Sequence, residues 1–191
     1  MVLDDGSSFF VSEAIWRERP YEPGERLDHD ELSALHARSY RSTLEAARAK
    51  AVAFLARREH TALQLRRKLF KRGFPEHVIN DLISELLDRR LLSEERYAEE
   101  WLRVRMRRNP GGPALMKATL LELGVPEAVV RETVTRYEEE HPGCWIEAAR
   151  RSVGKMPDRR RIHRDRCVQR LRRRGFSDQE IRELDLDRLL G

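Results

Sequence analysis

Apolar side chains recur along this chain in short stripes, four positions apart, and each stripe runs into a glycine. Leu65 and Leu69 precede Gly73, Met116 and Leu120 precede Gly124, and Cys167 and Leu171 precede Gly175. The glycines stand 51 positions apart both times. The same register aligns Ala47, Ala98 and Ala149, and then Ile79, Val130 and Ile181. Spacing by four places side chains on one helix face. Glycine takes the left-handed conformation that closes a helix, so each stripe predicts a helix ending at Gly73, Gly124 or Gly175. An apolar residue follows (Phe74, Val125, Phe176) and predicts a plug at the corner between two helices. The next helix then opens at Pro75, Pro126 or Ser177. Proline suits a first helical turn, and Ser177 with Glu180 forms a capping box.

An earlier helix is predicted ahead of each pair, at roughly 45–58, 93–108 and 144–156. Ser42 with Glu45 and Thr61 with Gln64 read as further capping boxes for the first unit. The pattern therefore predicts an all-α chain of three tandem three-helix repeats of about 51 residues, at 42–92, 93–142 and 143–191. Units this small need their neighbours for burial, and the short joins predict stacking into an elongated, gently curved rod. Residues 1–41 break the pattern. Phe9, Phe10, Trp16 and Tyr21 lie scattered among Pro, Gly, Asp and Glu, which predicts a mobile acidic extension in which 28–41 is the one helical candidate.

Composition agrees with helices that bury one stripe and solvate the rest, since 40% of the 191 residues are hydrophobic, 37% charged and only 7% aromatic. The net charge of +5 conceals a gradient. Residues 1–45 carry five Lys/Arg and ten Asp/Glu, whereas the remainder carries 33 and 23. A basic body points to nucleic acid or an acidic protein surface as partner. The charge is unequally shared among the repeats. Residues 62–73 hold Arg66, Arg67, Lys68, Lys71 and Arg72 without an acid, and 164–175 hold six arginines against Asp165. The matching window 113–124 has only Lys117 and Glu122. Arg170, Arg173 and Arg174 are the third-unit counterparts of Lys68, Lys71 and Arg72. Further clusters are Arg57 with Arg58, then Arg103, Arg105, Arg107 and Arg108, then Arg159, Arg160 and Arg161. These basic residues are the candidate binding positions, because guanidinium forks match phosphate and carboxylate.

Enzymatic signatures are missing. The sequence contains no phosphate-binding loop, dinucleotide fingerprint, serine-nucleophile elbow or zinc motif, and its histidines do not share a helix face. Cys144 and Cys167 have neither metal nor redox spacing, and Cys167 falls in the core column of Leu65 and Met116. No catalytic residue, cofactor or metal is expected. No run reaches the ~18 apolar residues of a membrane span, and acids stand where a signal peptide needs bases, so a cytoplasmic location is expected; the chain is also expected to be a monomer. Trp101 and Trp145 offer rings for base stacking, but their helix positions point to packing.

Two stretches carry a resemblance. Leu55-Ala56-Arg57-Arg58-Glu59-His60-Thr61, with Leu65-Arg66-Arg67-Lys68-Leu69 and Arg72-Gly73-Phe74-Pro75, resembles the opening unit of the RecX family. Asp88-Arg89-Arg90-Leu91-Leu92-Ser93-Glu94-Glu95-Arg96-Tyr97-Ala98-Glu99-Glu100-Trp101 resembles that family's junction into its second unit. The likeness spans roughly 45–185. It departs in the long acidic leader, in Leu123 where a basic residue before the glycine is commoner, and in the arginine-rich third unit. The resemblance implies tandem three-helix repeats that bind the RecA filament on single-stranded DNA. It further implies negative regulation of filament extension, ATP hydrolysis, strand exchange and repressor cleavage in recombination and the DNA-damage response. Two other readings stay open: a stand-alone helical protein binding duplex DNA, and an adaptor for another protein.

Overall fold

The computed structural model describes residues 1, 10–22, 24–156 and 163–190. Every regular element among them is helical, and the chain divides into two compact units, Met1–Leu92 and Ser93–Gly191.

The first unit holds α1 (Glu13–Glu18), α2 (His29–Leu55), α3 (Ala62–Phe70) and α4 (Glu76–Asp88). Helices α2, α3 and α4 pack pairwise around Ala47, Ala51, Leu65, Leu69, Val78, Ile79, Leu82, Ile83, Leu86 and Leu92. Each large aliphatic chain buried there contributes roughly 1.5–3 kcal/mol relative to exposure. Tyr40 donates to Asp81 at 2.7 Å and Arg48 to Glu85 at 2.5 Å, tying the rim of α2 to α4.

The second unit holds α5 (Glu94–Arg108), α6 (Pro113–Glu122), α7 (Glu127–Glu140), α8 (Cys144–Gly154), α9 (Arg164–Arg173), α10 (Asp178–Arg182) and α11 (Leu186–Leu190). The second and third repeats share one core here. It runs from Tyr97, Ala98 and Leu102 through Met116, Leu120 and Trp145 to Cys167, Leu171 and Leu186. The repeat columns are its frame. Ala47, Ala98 and Ala149 are fully buried, as are Leu65, Met116 and Cys167, and Leu69, Leu120 and Leu171.

Each corner is built in the same way. Gly73, Gly124 and Gly175 have φ of 82°, 90° and 80°. Beyond them the amides of Phe74, Val125 and Phe176 donate back to the carbonyls of Leu69, Leu120 and Leu171 at 3.4, 3.1 and 3.2 Å. This satisfies carbonyls that a helix end leaves without partners. Val125 and Phe176 are buried and Phe74 half-buried, so all three fill the corner as predicted. The Ser177–Glu180 capping box forms.

The structure differs from the sequence pattern in three places. A single helix, α2, runs through the predicted break near residue 42, capped at its start by an Asp28–Glu31 box. Ser42 and Glu45 therefore lie inside the helix and cap nothing; no glycine or proline interrupts the segment, and the Thr43 hydroxyl returns to the Ser39 carbonyl at 2.8 Å. Thr61 caps α3 by accepting from the Gln64 amide. Pro75 and Pro126 occupy the cap position, with extended ψ of 145° and 141°, one residue before the helix starts. Finally, α1 stands within the segment predicted to lack order. Ser12 caps it, the Ser12 amide donates to Ser39 Oγ at 2.8 Å, and that hydroxyl donates to the Phe10 carbonyl at 2.9 Å. These bonds bury Ile15, and Leu35 of α2 is also buried. Phe9 lies outside the described residues.

In the second unit, the loop Asn109–Gly112 lies against the α9 corner. The Gly112 amide donates to the Arg174 carbonyl at 2.8 Å and the Ala114 amide to the Gly175 carbonyl at 3.3 Å. A Cβ on Gly112 would meet the Gly175 oxygen at 2.1 Å, whereas one on Gly73 would meet nothing within 4 Å. Gly73→Ala should therefore cost about 1–2 kcal/mol, the strain of a left-handed alanine. Gly112→Ala, which must separate two backbones, should cost about 3 kcal/mol or more. Hydrogen exchange during denaturant titration would report both, with the Gly112→Ala loss confined to the second unit.

Candidate functional site

The first basic surface follows from the helical register of α3. Leu65 and Leu69 face the core, which turns Arg67, Lys71 and Arg72 outward, with Arg57 and Arg58 exposed on the turn before the helix. Among the described residues none of these five pairs with a carboxylate. Arg66 is half-buried and engaged by Asn80 Oδ1 of α4. Phe70 is 65% exposed between Arg66, Arg67 and Lys71, an apolar ring that the sequence pattern did not single out.

Lys68 is held in place. Its Nζ lies 2.7 Å from His60 Nε2 and 4.6 Å from the centroid of the Phe54 ring, whose face attracts cations. Arg72 Cζ lies 5.8 Å from the same ring. His60 is buried, and its Nδ1 is 2.9 Å from the Arg58 carbonyl. A carbonyl only accepts, so Nδ1 carries the proton and Nε2 accepts from the Lys68 ammonium. Burial pulls the imidazole below its usual pKa; the Arg58 carbonyl opposes this, and the Lys68 and Arg58 charges reinforce it. Burial, then Arg58 and Arg57, likewise lower the Lys68 ammonium. The cluster is a fixed cation above a neutral, buried imidazole.

The second unit presents its cations at the end of α5 and along α9. Arg103 pairs with Glu100 on its own helix. Arg105 is half-buried, and Arg107 and Arg108 are exposed. The carbonyls that close α5 are covered from α8. Arg151 donates to Met106 O at 3.2 Å and Arg107 O at 2.7 Å, and Lys155 donates to Arg108 O at 2.8 Å. Cations suit this negative end of the helix dipole. On α9, Arg170 and Arg173 are exposed without carboxylate partners among the described residues, whereas Arg172 pairs with Asp178 at 2.8 Å.

Arg174 departs from its repeat counterparts. Its guanidinium turns inward, donating to Asn109 Oδ1 at 2.7 Å and to the Pro110 carbonyl, and burial followed by the Arg105 charge lowers its pKa. This side chain locks the Asn109–Gly112 loop to the α9 corner. The Arg159, Arg160 and Arg161 cluster lies outside the described residues. On α6, Lys117 and Glu122 are both exposed, so the second repeat lacks the ridge, as its sequence implies. Trp145 is buried beside Tyr137, with ring centroids 5.9 Å apart, and Trp101 is half-buried against the same core. Both tryptophans serve packing. Sequence reasoning missed His60, Phe54 and Arg151; Arg151 and Lys155, four apart at the C-terminal end of α8, were the available signal. The described residues contain no cluster suited to a metal and no helix long and apolar enough to cross a membrane.

Comparison with known proteins matches residues 47–86 to the model of the RecX first three-helix domain and 93–134 to that of the second. The chain is 34% identical over 144 residues to the regulatory protein RecX of Halorhodospira halophila, covering 72% of this chain and 85% of that relative. It is 34% identical over 141 residues to the regulatory protein RecX of Pseudomonas entomophila, covering 73% and 89%. Among solved structures, a crystal structure of regulatory protein RecX superposes with a TM-score of 0.68 at 21% identity, over 95% of this chain and 89% of that one. That likeness is one of fold.

Two predictions follow from the cation environments. His60 has a folded pKa below the unfolded value of about 6.5, so the stability it contributes is present above that pH and lost as pH falls through the folded value. An NMR titration should place the His60 midpoint below 6.5, and Lys68→Met should move it upward. In calorimetry, Arg174→Met should destabilise the second unit by about 1–3 kcal/mol, while Arg173→Met stays within about 0.5 kcal/mol.

Proposed function

Because the chain belongs to the RecX family of regulatory proteins, we propose that it binds the RecA filament on single-stranded DNA and restrains RecA's activities. The activities at issue are filament extension, ATP hydrolysis, strand exchange and repressor cleavage. The observation that carries this reading is the set of exposed cations Arg57, Arg58, Arg67, Lys71 and Arg72 on the first unit, without carboxylate partners among the described residues and matched by Arg107, Arg108, Arg170 and Arg173 on the second. Surface charges are ordinarily interleaved with opposite ones, and a cation row left without carboxylates is an electrostatic footprint for an anionic partner. DNA phosphate and acidic RecA surface both fit. Each unit alone offers a modest set of contacts, and joining them on one chain raises the effective concentration of the second once the first has bound. The site of action is then the cytoplasm, where RecA and DNA meet.

Arg66, Lys68, Arg103, Arg105 and Arg174 support that surface from behind or beside it, since each is already engaged or half-buried. A stand-alone duplex-binding protein is less favoured, because α3 presents no row of Asn or Gln to read base edges.

RecA ATPase and filament assembly on single-stranded DNA, titrated with this protein, test the reading. Inhibition is expected, and a double variant Arg67→Glu with Lys71→Glu should need about tenfold more protein for the same effect, the equivalent of about 1.4 kcal/mol. Where phosphate contacts dominate, log affinity should fall by about 0.7 per log unit of salt for each contact. No inhibition at an equimolar ratio to RecA removes the reading.

A further inference from the structure

Phe70 is the most exposed large apolar side chain among the described residues. The register of α3 sets that exposure. Leu65 and Leu69 take the core face, and at about 100° per residue Phe70 falls between the directions of Arg66 and Arg67, about one turn further along. Lys71 follows it, and Leu63, seven positions earlier, is half-buried on the same stripe. No carboxylate among the described residues pairs with Arg66, Arg67 or Lys71, and Arg66 is held beside the ring by Asn80 Oδ1. The Phe54 ring is different, because Lys68 at 4.6 Å and Arg72 at 5.8 Å already occupy it. Among the described residues no ring or cation lies over Phe70. The other repeats lack the combination. Leu121 stands at the matching position of α6, beside Glu122 and without a cation row, and Arg172 of α9 is paired with Asp178. Of the three corresponding helices, α3 alone sets an open aromatic ring among cations.

We propose that Phe70 is the stacking platform for an unpaired base, so that the α3 ridge takes a single strand of nucleic acid, with Arg67 and Lys71 against the adjacent phosphates. The inference rests on the reading of this ridge as an anion-binding face and names which anion it takes. Every base has a flat π-face that a phenyl ring can cover whatever the sequence, and neighbouring guanidiniums add cation–π attraction. A duplex keeps its base faces stacked on one another, so it engages the cations and leaves the ring in water. An acidic protein surface neutralises the cations but covers a ring this exposed only where it also carries an apolar pocket. A single strand supplies both a flat apolar face and a negative charge at each nucleotide, which is the pairing α3 presents.

Fluorescence anisotropy on the full chain, without RecA, tests this with fluorescein-labelled probes: a short oligothymidine, an abasic strand of the same length, and a duplex. The oligothymidine should bind at low salt, and Phe70→Ala should weaken it about fivefold or more, while Phe70→Trp stays within about twofold of the unaltered chain. On the abasic strand and the duplex, Phe70→Ala should change affinity by less than about twofold, because neither offers a base face to the ring. Thermal unfolding should be the same for all three chains, since the ring lies outside the core. The proposal is overturned if the oligothymidine does not bind, if Phe70→Ala binds it as tightly as before, or if the loss is equal on all three probes. Unchanged oligothymidine affinity with lost inhibition of the RecA ATPase would assign the ring to a protein surface instead. Inhibition of RecA by a chain that does not bind oligothymidine removes the stacking role and leaves the filament reading standing. Phe70-dependent oligothymidine binding without inhibition of RecA does the reverse.

Discussion

At Gly73, Gly124 and Gly175 the chain must leave one helix and enter the next within a few residues, and the packing of every repeat depends on that reversal. The left-handed glycine lets the following amide reach back to the last core leucine, and the next residue fills the corner. Once that angle is set, the stripe before the glycine and the stripe after it face each other. The first helix of each repeat then packs on the helix that follows the glycine, with a fully buried alanine (Ala47, Ala98, Ala149) at the matching position. Short helices of nine or ten residues are marginal in water by themselves. Their persistence here comes from tertiary burial, which the corner makes available.

That dependence explains what could be read in the sequence. The corner and its core columns are local features repeated at a fixed interval, so they stand out from the chain alone. Where helix α2 begins was harder, because Ser42 and Asp28 are both chemically able to cap a helix. Asp28 prevails since nothing between them interrupts the turn, and the Ser39 side chain is occupied with Ser12 and Phe10. The candidate site was legible as a count of charges but not as a geometry. Arg174 shares a column with Arg72, yet its partners Asn109 and Pro110 are 65 and 64 positions away, a relation that no column of the repeat displays.

A guanidinium has more donors than one anion requires, and this protein uses that surplus inside its fold. Arg151 satisfies the helix-end carbonyls of Met106 and Arg107, and Arg174 the loop carbonyl of Pro110. Counting such residues as binding cations overstates the free charge, while omitting them hides why the free ones are held still. His60 is the counterpart in the first unit, an uncharged acceptor beneath Lys68 that fixes where the ammonium sits. In both units the exposed positive surface is set by a polar layer directly below it.

The backbone bonds from Gly112 and Ala114 to the Arg174–Gly175 turn bear on how the chain is dismantled in a cell. A protease that cuts at the exposed Pro142–Gly143 join does not release a folded repeat. Met116, Leu120 and Trp145 share one core with Cys167 and Leu171, so the two halves on either side of that cut depend on each other for burial. The first unit has a core of its own, which ends at Leu92. For proteolysis the chain therefore offers two cooperative units rather than three, and the ridge on α3 belongs to the first of them.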